Sequence, residues 1–270
     1  MPADHQLSGM RRSKPRQSPL DTPGFLRTAS VTRSRVDDID KYPYDIPAIR
    51  NLGVLNFDPY VTFFVGENGS GKSTLIEAIA VAAGFNAEGG SKNFDFATRR
   101  TESSLTEALS VSRGYKRETD GFFLRAESFY NVASNLEQIE MELEAGSRFT
   151  AYGGKSLHTQ SHGESFISLV SNRFFGHGLY ILDEPEAALS PSRQLLLLGL
   201  IDRLARHNSS QFVIATHSPI LLAYPHSTIY GLDDTGIAPI AYEETEHYKV
   251  TLDFLTNRAA YLRHLTDESL

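Results

Sequence analysis

The chain has 270 residues, 40% of them hydrophobic, enough to bury a sizeable core in one large domain or in a domain with a subdomain. Its formal net charge of -7 gives no global basic field, so any contact with nucleic acid would have to use a local patch or a partner. The absence of cysteine excludes disulfides, zinc–thiolate centres and thiol nucleophiles together, and no apolar run approaches the roughly 20 residues of a membrane span, so a cytoplasmic setting is expected.

Residues 1–24 place Arg11, Arg12, Lys14 and Arg16 among prolines and serines without hydrophobic periodicity. A disordered basic tail is expected there, with none of the apolar stretch that a secretory signal needs. One ordered domain is expected over 25–270. Residues 25–31 read as an edge strand and 51–57 as a second strand before the turn at Asp58 and Pro59, giving an N-terminal antiparallel β portion. Residues 60–65 form a short apolar run rich in β-branched and aromatic types that ends in a glycine-rich loop, and 73–83 follow with helical periodicity until Gly84. About a hundred residues of mostly helical pattern come next, notably 128–145 and 164–172, with a strand over 122–125. They predict a helical subdomain at roughly 86–175 inserted into an α/β core. Residues 178–182 and 211–215 have the continuous apolar character of fully buried strands, and a helix over 192–206 joins them, which makes a parallel βαβ unit.

The loop Gly66-Glu67-Asn68-Gly69-Ser70-Gly71-Lys72-Ser73 matches GxxxxGK[ST] in its required setting between a strand and a helix. In that pattern backbone N–H groups and the helix N-terminus face phosphates, while the glycines permit close approach. Lys72 would hold the β and γ phosphates, Ser73 would ligate magnesium, and Thr74 extends the nucleotide-binding stretch. The strand at 178–182 ends in Asp183 and Glu184, at the edge where an open parallel sheet delivers its ligands. Asp183 can hold magnesium there, and Glu184 can polarise an attacking water. His217 emerges one βα unit later, in Ala215-Thr216-His217-Ser218-Pro219, and reads as a γ-phosphate contact.

With Ser161-His162-Gly163-Glu164 placed between these motifs, the ordered series GENGSGKS, SHGE, ILDEPEAALSP and ATHSP resembles that of an ABC-type ATPase within the P-loop NTPases. The resemblance is to the soluble stand-alone group akin to the heads of DNA-repair and chromosome-organising ATPases. It implies an α/β fold with a mostly parallel core sheet, ATP and Mg2+ as ligands, ATP hydrolysis, and a homodimer formed on ATP binding. In such a dimer the signature loop of one chain meets the γ-phosphate held by the other. Ser161 falls on the signature serine, Gly163 on its second glycine and Glu164 on its glutamine, while His162 replaces the first glycine. The same residues also fit an ordinary helix cap, with Ser161 bonded back to Glu164. Glu127, after the strand at 122–125, falls where the family has a magnesium-sensing glutamine, and Ser190 replaces an aspartate of the loop that contacts the partner. An aromatic ahead of the phosphate loop often stacks on adenine in the family; Tyr42, Tyr44 and Phe57 are the candidates. The resemblance leaves room for an effector protein or DNA as the thing acted on, or for a membrane subunit if the chain serves a transporter.

Overall fold

The computed structural model describes residues 24–92, 103–126, 129 and 161–266. The basic tail (1–23), Glu127 and nearly all of the helix expected at 128–145 lie outside the described residues.

Two sheets carry the architecture. The smaller is antiparallel, in the order β2-β1-β5, from β1 (Leu26–Val31), β2 (Leu55–Asn56) and β5 (Leu109–Arg113). β1 is therefore the central strand and not the expected edge, because β5, some eighty residues later in the chain, pairs along its whole length. The strand expected at 51–57 shrinks to two residues, since Asn51 and Leu52 donate to Pro47 and Ile49 carbonyls and so close a short helical turn at Pro47–Arg50.

The larger sheet has the order β10-β9-β3-β8-β7-β6-β4. Its strands are β3 (Val61–Gly66), β4 (Gly90–Ser91), β6 (Asp120–Arg125), β7 (Gly178–Asp183), β8 (Gln211–Ala215), β9 (Ser227–Asp233) and β10 (Gly236–Pro239). Five consecutive strands are parallel, and the antiparallel β10 and β4 close the two edges. Four longer helices follow the strands: α1 (Lys72–Ala82), α2 (His162–Arg173), α3 (Pro191–His207) and α4 (Glu246–Thr266). Residues 86–175 thus supply β4, β5 and β6 as well as helix.

The period-2 alternation of a strand decides which core each residue enters. In β7, Tyr180 and Leu182 join the core beneath α2 and α3, whereas Leu179 and Ile181 join the core beneath α1 and the small sheet. Both faces are buried, which explains the uninterrupted apolar runs. Gln211 ties the two sheets together. Its buried side-chain amide accepts from the Leu26 N–H (2.8 Å) and donates to the Leu26 and Asp58 carbonyls (2.9 Å each). No helix among the described residues is long and apolar enough to cross a membrane.

Candidate nucleotide site

Register brings the site together. Asp183 pairs with Ala215 across β7 and β8, and Phe64 pairs with Ala215 across β3 and β8. The residues that follow these pairs, at Gly66, Glu184 and His217, therefore leave the sheet at one edge and side by side.

The loop from Gly66 to Ser73 needs its glycines for two separate reasons. Gly71 caps α1 with φ +94°, a left-handed conformation that costs other residues about 1–2 kcal/mol. At Gly66 a Cβ would lie 2.3 Å from the Leu232 carbonyl oxygen, so β9 leaves no space for a side chain. Lys72 Nζ donates to the Gly66 and Glu67 carbonyls at 2.8 Å each, which holds the ammonium within the loop. Burial lowers the Lys72 pKa, against the opposing pull of Glu184, Asp183 and Glu186. Ser70 Oγ is buried and has no hydrogen-bond partner among the described residues. Beside the loop runs a cavity of about 520 Å3, bounded by Glu67, Asn68, Asp233, Asp234, Thr245 and His247. Its size lies within the roughly 300–1,000 Å3 of small-molecule sites.

Ser73 Oγ donates to Asp183 Oδ1 at 3.2 Å. Arg125, at the end of β6, sets Nε 3.6 Å from Asp183 Oδ2 and bonds Glu77 Oε2 at 2.8 Å. A second cavity, of about 190 Å3, lies against Ser73, Arg125, Asp183 and Glu184, and His162 reaches it as well. Among the described residues no cluster of three or more His, Cys, Asp or Glu forms a metal cage. The hydroxyl and carboxylate pair instead fits a magnesium ion completed by phosphate oxygens and water.

Glu184 sits at φ 52°, ψ 50°, left-handed for a residue with a Cβ, at a cost of order 1–3 kcal/mol. Its N–H bonds the Ala215 carbonyl (2.9 Å), and its own carbonyl accepts from Ala187 (3.0 Å), so the strain is held from both sides. The Glu184 carboxylate lies 3.4 Å from His217 Nε2, a nitrogen that is buried and makes no hydrogen bond among the described residues. On the other side of the ring, His217 Nδ1 is 2.9 Å from His247 Nε2 in α4. The His217 N–H donates to Glu186, whose pKa burial raises. Burial, and then the charge of Lys72, lower the pKa of both histidines.

Ser161 and Glu164 form the helix cap: the Ser161 N–H and Oγ both donate to Glu164 Oε2, at 3.0 and 2.8 Å. Arg193 completes the cluster, with Nη1 3.1 Å from Ser161 Oγ and Nη2 3.0 Å from Glu164 Oε1. Ser161, His162 and Glu164 are exposed, while Gly163 packs so closely that a Cβ would meet Arg193 Nη1 at 2.6 Å. Of the three aromatic candidates, Tyr44 and Phe57 are buried in the α1-side core. Tyr42 is 63% exposed, with its hydroxyl 2.9 Å from Thr74 Oγ1.

Sequence reasoning missed Arg125, Glu186, Arg193 and His247. The third acid of the run DEPE was a visible signal for Glu186. Nothing local marked the other three.

Two family models match. One is described as "AAA domain" and covers residues 45–171; the other, "AAA domain, putative AbiEii toxin, Type IV TA system", covers 156–223. Among curated proteins, one named "Putative ABC transporter ATP-binding protein" from Geobacter sulfurreducens is 27% identical over 166 residues, which is 57% of this chain and 58% of that protein. The chain thus spans a little under three-fifths of that relative's length. Similar solved structures include the SMC head domain from Thermotoga maritima (17% identity, TM-score 0.44, 80% of this chain and 99% of the other). They also include cbiO1 from Clostridium perfringens, part of the ABC transporter complex cbiONQ (17% identity, TM-score 0.48, 90% and 99%). The two family models fall on the motif residues: the first takes in the loop at 66–73, and the second takes in Asp183, Glu184 and His217. The chain is similar to P-loop ATPases of the AAA and ABC type, with the two AAA-domain models together spanning residues 45–223.

Proposed function

We propose that this chain hydrolyses ATP in a dimer that encloses two nucleotides, and that the cycle drives a separate effector protein or acts on DNA within the cytoplasm. The observation that carries this reading is the meeting of Ser73 with Asp183 (3.2 Å) and of Glu184 with His217 (3.4 Å) at the edge where the phosphate loop opens. Lys72 binds the β and γ phosphates, the loop from Gly66 to Thr74 wraps them, and Glu184 accepts the proton of the attacking water. His217 Nε2, buried and unbonded, donates to the γ-phosphate. Magnesium, held by Ser73 and Asp183 and assisted by Glu127, would neutralise charge on the β and γ oxygens. Preorganised donors of this kind, in a site that dimer closure dries, supply the main electrostatic stabilisation. Ser161, His162, Gly163 and Glu164 serve the partner's nucleotide, and the exposure of the signature serine suits that role. Tyr42, with its ring exposed beside Thr74, is the surface on which adenine stacks.

Replacing Glu184 by Gln tests the scheme: ATP binding persists, phosphate release falls by at least about 100-fold, a typical loss for a positioned base, and a dimer accumulates in light scattering. Turnover at the wild-type rate would refute the assignment of Glu184. Tyr42→Ala should weaken ATP affinity while Tyr42→Phe retains it, and equal loss in both would exclude stacking. The second reading, a transporter's ATP-binding subunit, draws on the name of the Geobacter sulfurreducens relative. Copurification with a membrane protein would favour it.

A further inference from the structure

We propose that His247 is a positioning residue: its Nε2–H donates to Nδ1 of His217 and thereby holds His217 in the tautomer that carries its proton on Nε2. The inference deepens the proposed function, because that proton is the one offered to the γ-phosphate.

The pair is close enough to demand a choice. His217 Nδ1 and His247 Nε2 are 2.9 Å apart, with ring centroids 5.0 Å apart and planes inclined at 50°, an edge-on hydrogen bond between two imidazoles and not a stack. Such a bond needs one N–H and one bare lone pair. Both rings are neutral at pH 7, since burial and the nearby Lys72 ammonium disfavour imidazolium. Each ring then has one proton, and two arrangements remain.

The far side of His217 decides between them. Its Nε2 is buried and faces Glu184 Oε1 at 3.4 Å. A bare Nε2 would set a lone pair against a carboxylate oxygen, whereas Nε2–H turns the same approach into attraction. With the proton on Nε2, Nδ1 must accept, and His247 Nε2 must donate.

The fold holds His247 in place for this. It lies in the first turn of α4, just after Thr245, which is 1% exposed and bonds the Tyr242 carbonyl through Oγ1 at 2.7 Å. The Tyr242 hydroxyl bonds the Pro219 carbonyl at 3.0 Å, two residues beyond His217. The donor is thus fixed to the segment that carries its acceptor. An orienting partner on the second nitrogen is how proteins generally choose a histidine tautomer.

The test begins without turnover. Long-range 1H–15N correlation spectra of the full-length protein, free of nucleotide and assigned with His217→Asn, should show a pyrrole-type Nε2 and a pyridine-type Nδ1 for His217. A pyridine-type Nε2 in the wild type would overturn the proposal with no variant needed. His247→Gln keeps an N–H donor near the same place and should preserve the tautomer. His247→Glu offers only acceptors and should move the proton to Nδ1. If the chain hydrolyses ATP, His247→Leu and His247→Glu should lower kcat by roughly 10- to 100-fold, by analogy with loss of the outer partner of a metal-bound imidazole. KM should change little, and Gln should restore kcat to within about threefold. An unchanged kcat and tautomer in His247→Leu would overturn the inference. A wild-type protein with the stated tautomer and no turnover would instead refute the proposed function and leave the inference standing.

Discussion

Tyr180→Phe removes one buried hydroxyl, whose bond to Asp120 joins β7 to β6 and, through Asp120, to Arg173 at the end of α2. The Tyr180 ring is fully buried in β7 and stacks on Phe174 with centroids 4.0 Å apart and planes 4° from parallel. Its hydroxyl donates to Asp120 Oδ2 at 2.7 Å and accepts from the Gly176 N–H at 3.2 Å. Asp120 also receives Arg173 Nη1 (3.0 Å), from the last residue of α2. Phenylalanine keeps the ring, so little packing is lost. What disappears is a hydrogen bond to a carboxylate, about 1.5–3 kcal/mol, and Gly176 is left with a buried N–H. Because Asp120 retains Arg173, a loss of about 2–3 kcal/mol is expected. For a chain of this size each kcal/mol moves Tm by about 2–4 °C, so calorimetry should record a fall of about 4–12 °C. Burial and Asp120 push the hydroxyl's pKa far up, so the loss should stay constant from pH 6 to 9. A fall below about 1 °C would show that the bond contributes nothing net.

Two glycines of the phosphate loop should respond differently to alanine. Gly66→Ala forces a Cβ to within 2.3 Å of a backbone oxygen and should abolish ATP binding in a folded protein, as read by calorimetric titration. Gly69→Ala meets nothing within 4 Å and bears only its φ of +83°, about 1–2 kcal/mol, so ATP binding should survive. Equal effects would refute the steric account. Glu186→Gln should stabilise the fold by an amount that grows with pH. Because burial raises the Glu186 pKa in the fold, the unfolded chain ionises first, and the wild type loses stability as pH rises from about 4.5 through the folded pKa. The glutamine variant cannot, so chemical denaturation at pH 5 and 8 should show the larger difference at pH 8. A difference that shrinks with pH would contradict the sign.

The sequence disclosed those parts of the site that are local. The loop at 66–73 is contiguous, Asp183 and Glu184 close an apolar strand, and His217 closes the next, so periodicity and spacing sufficed. Arg125 and His247 reach the site from other elements and leave no local pattern. The choice among Tyr42, Tyr44 and Phe57 depended on exposure, a property of the packed fold. β5 pairs with β1 across some eighty residues, and such long-range pairing gave β1 its central place. The strand signal at 51–57 was overridden by a turn that begins at Pro47, where the backbone donors were already committed.

The alternation of β7 between two cores has a consequence for how variants in this strand behave in a cell. Leu179, Tyr180, Ile181 and Leu182 are all fully buried, and each wedges into one of two interiors directly before Asp183. A substitution there changes the folded population before it alters the chemistry, and a loss of 1–2 kcal/mol is enough to change steady-state abundance several-fold through proteolysis. Variants in 179–182 should therefore surface as low protein levels with near-normal specific activity in the molecules that remain, whereas a change at Glu184 should leave levels intact and silence each molecule.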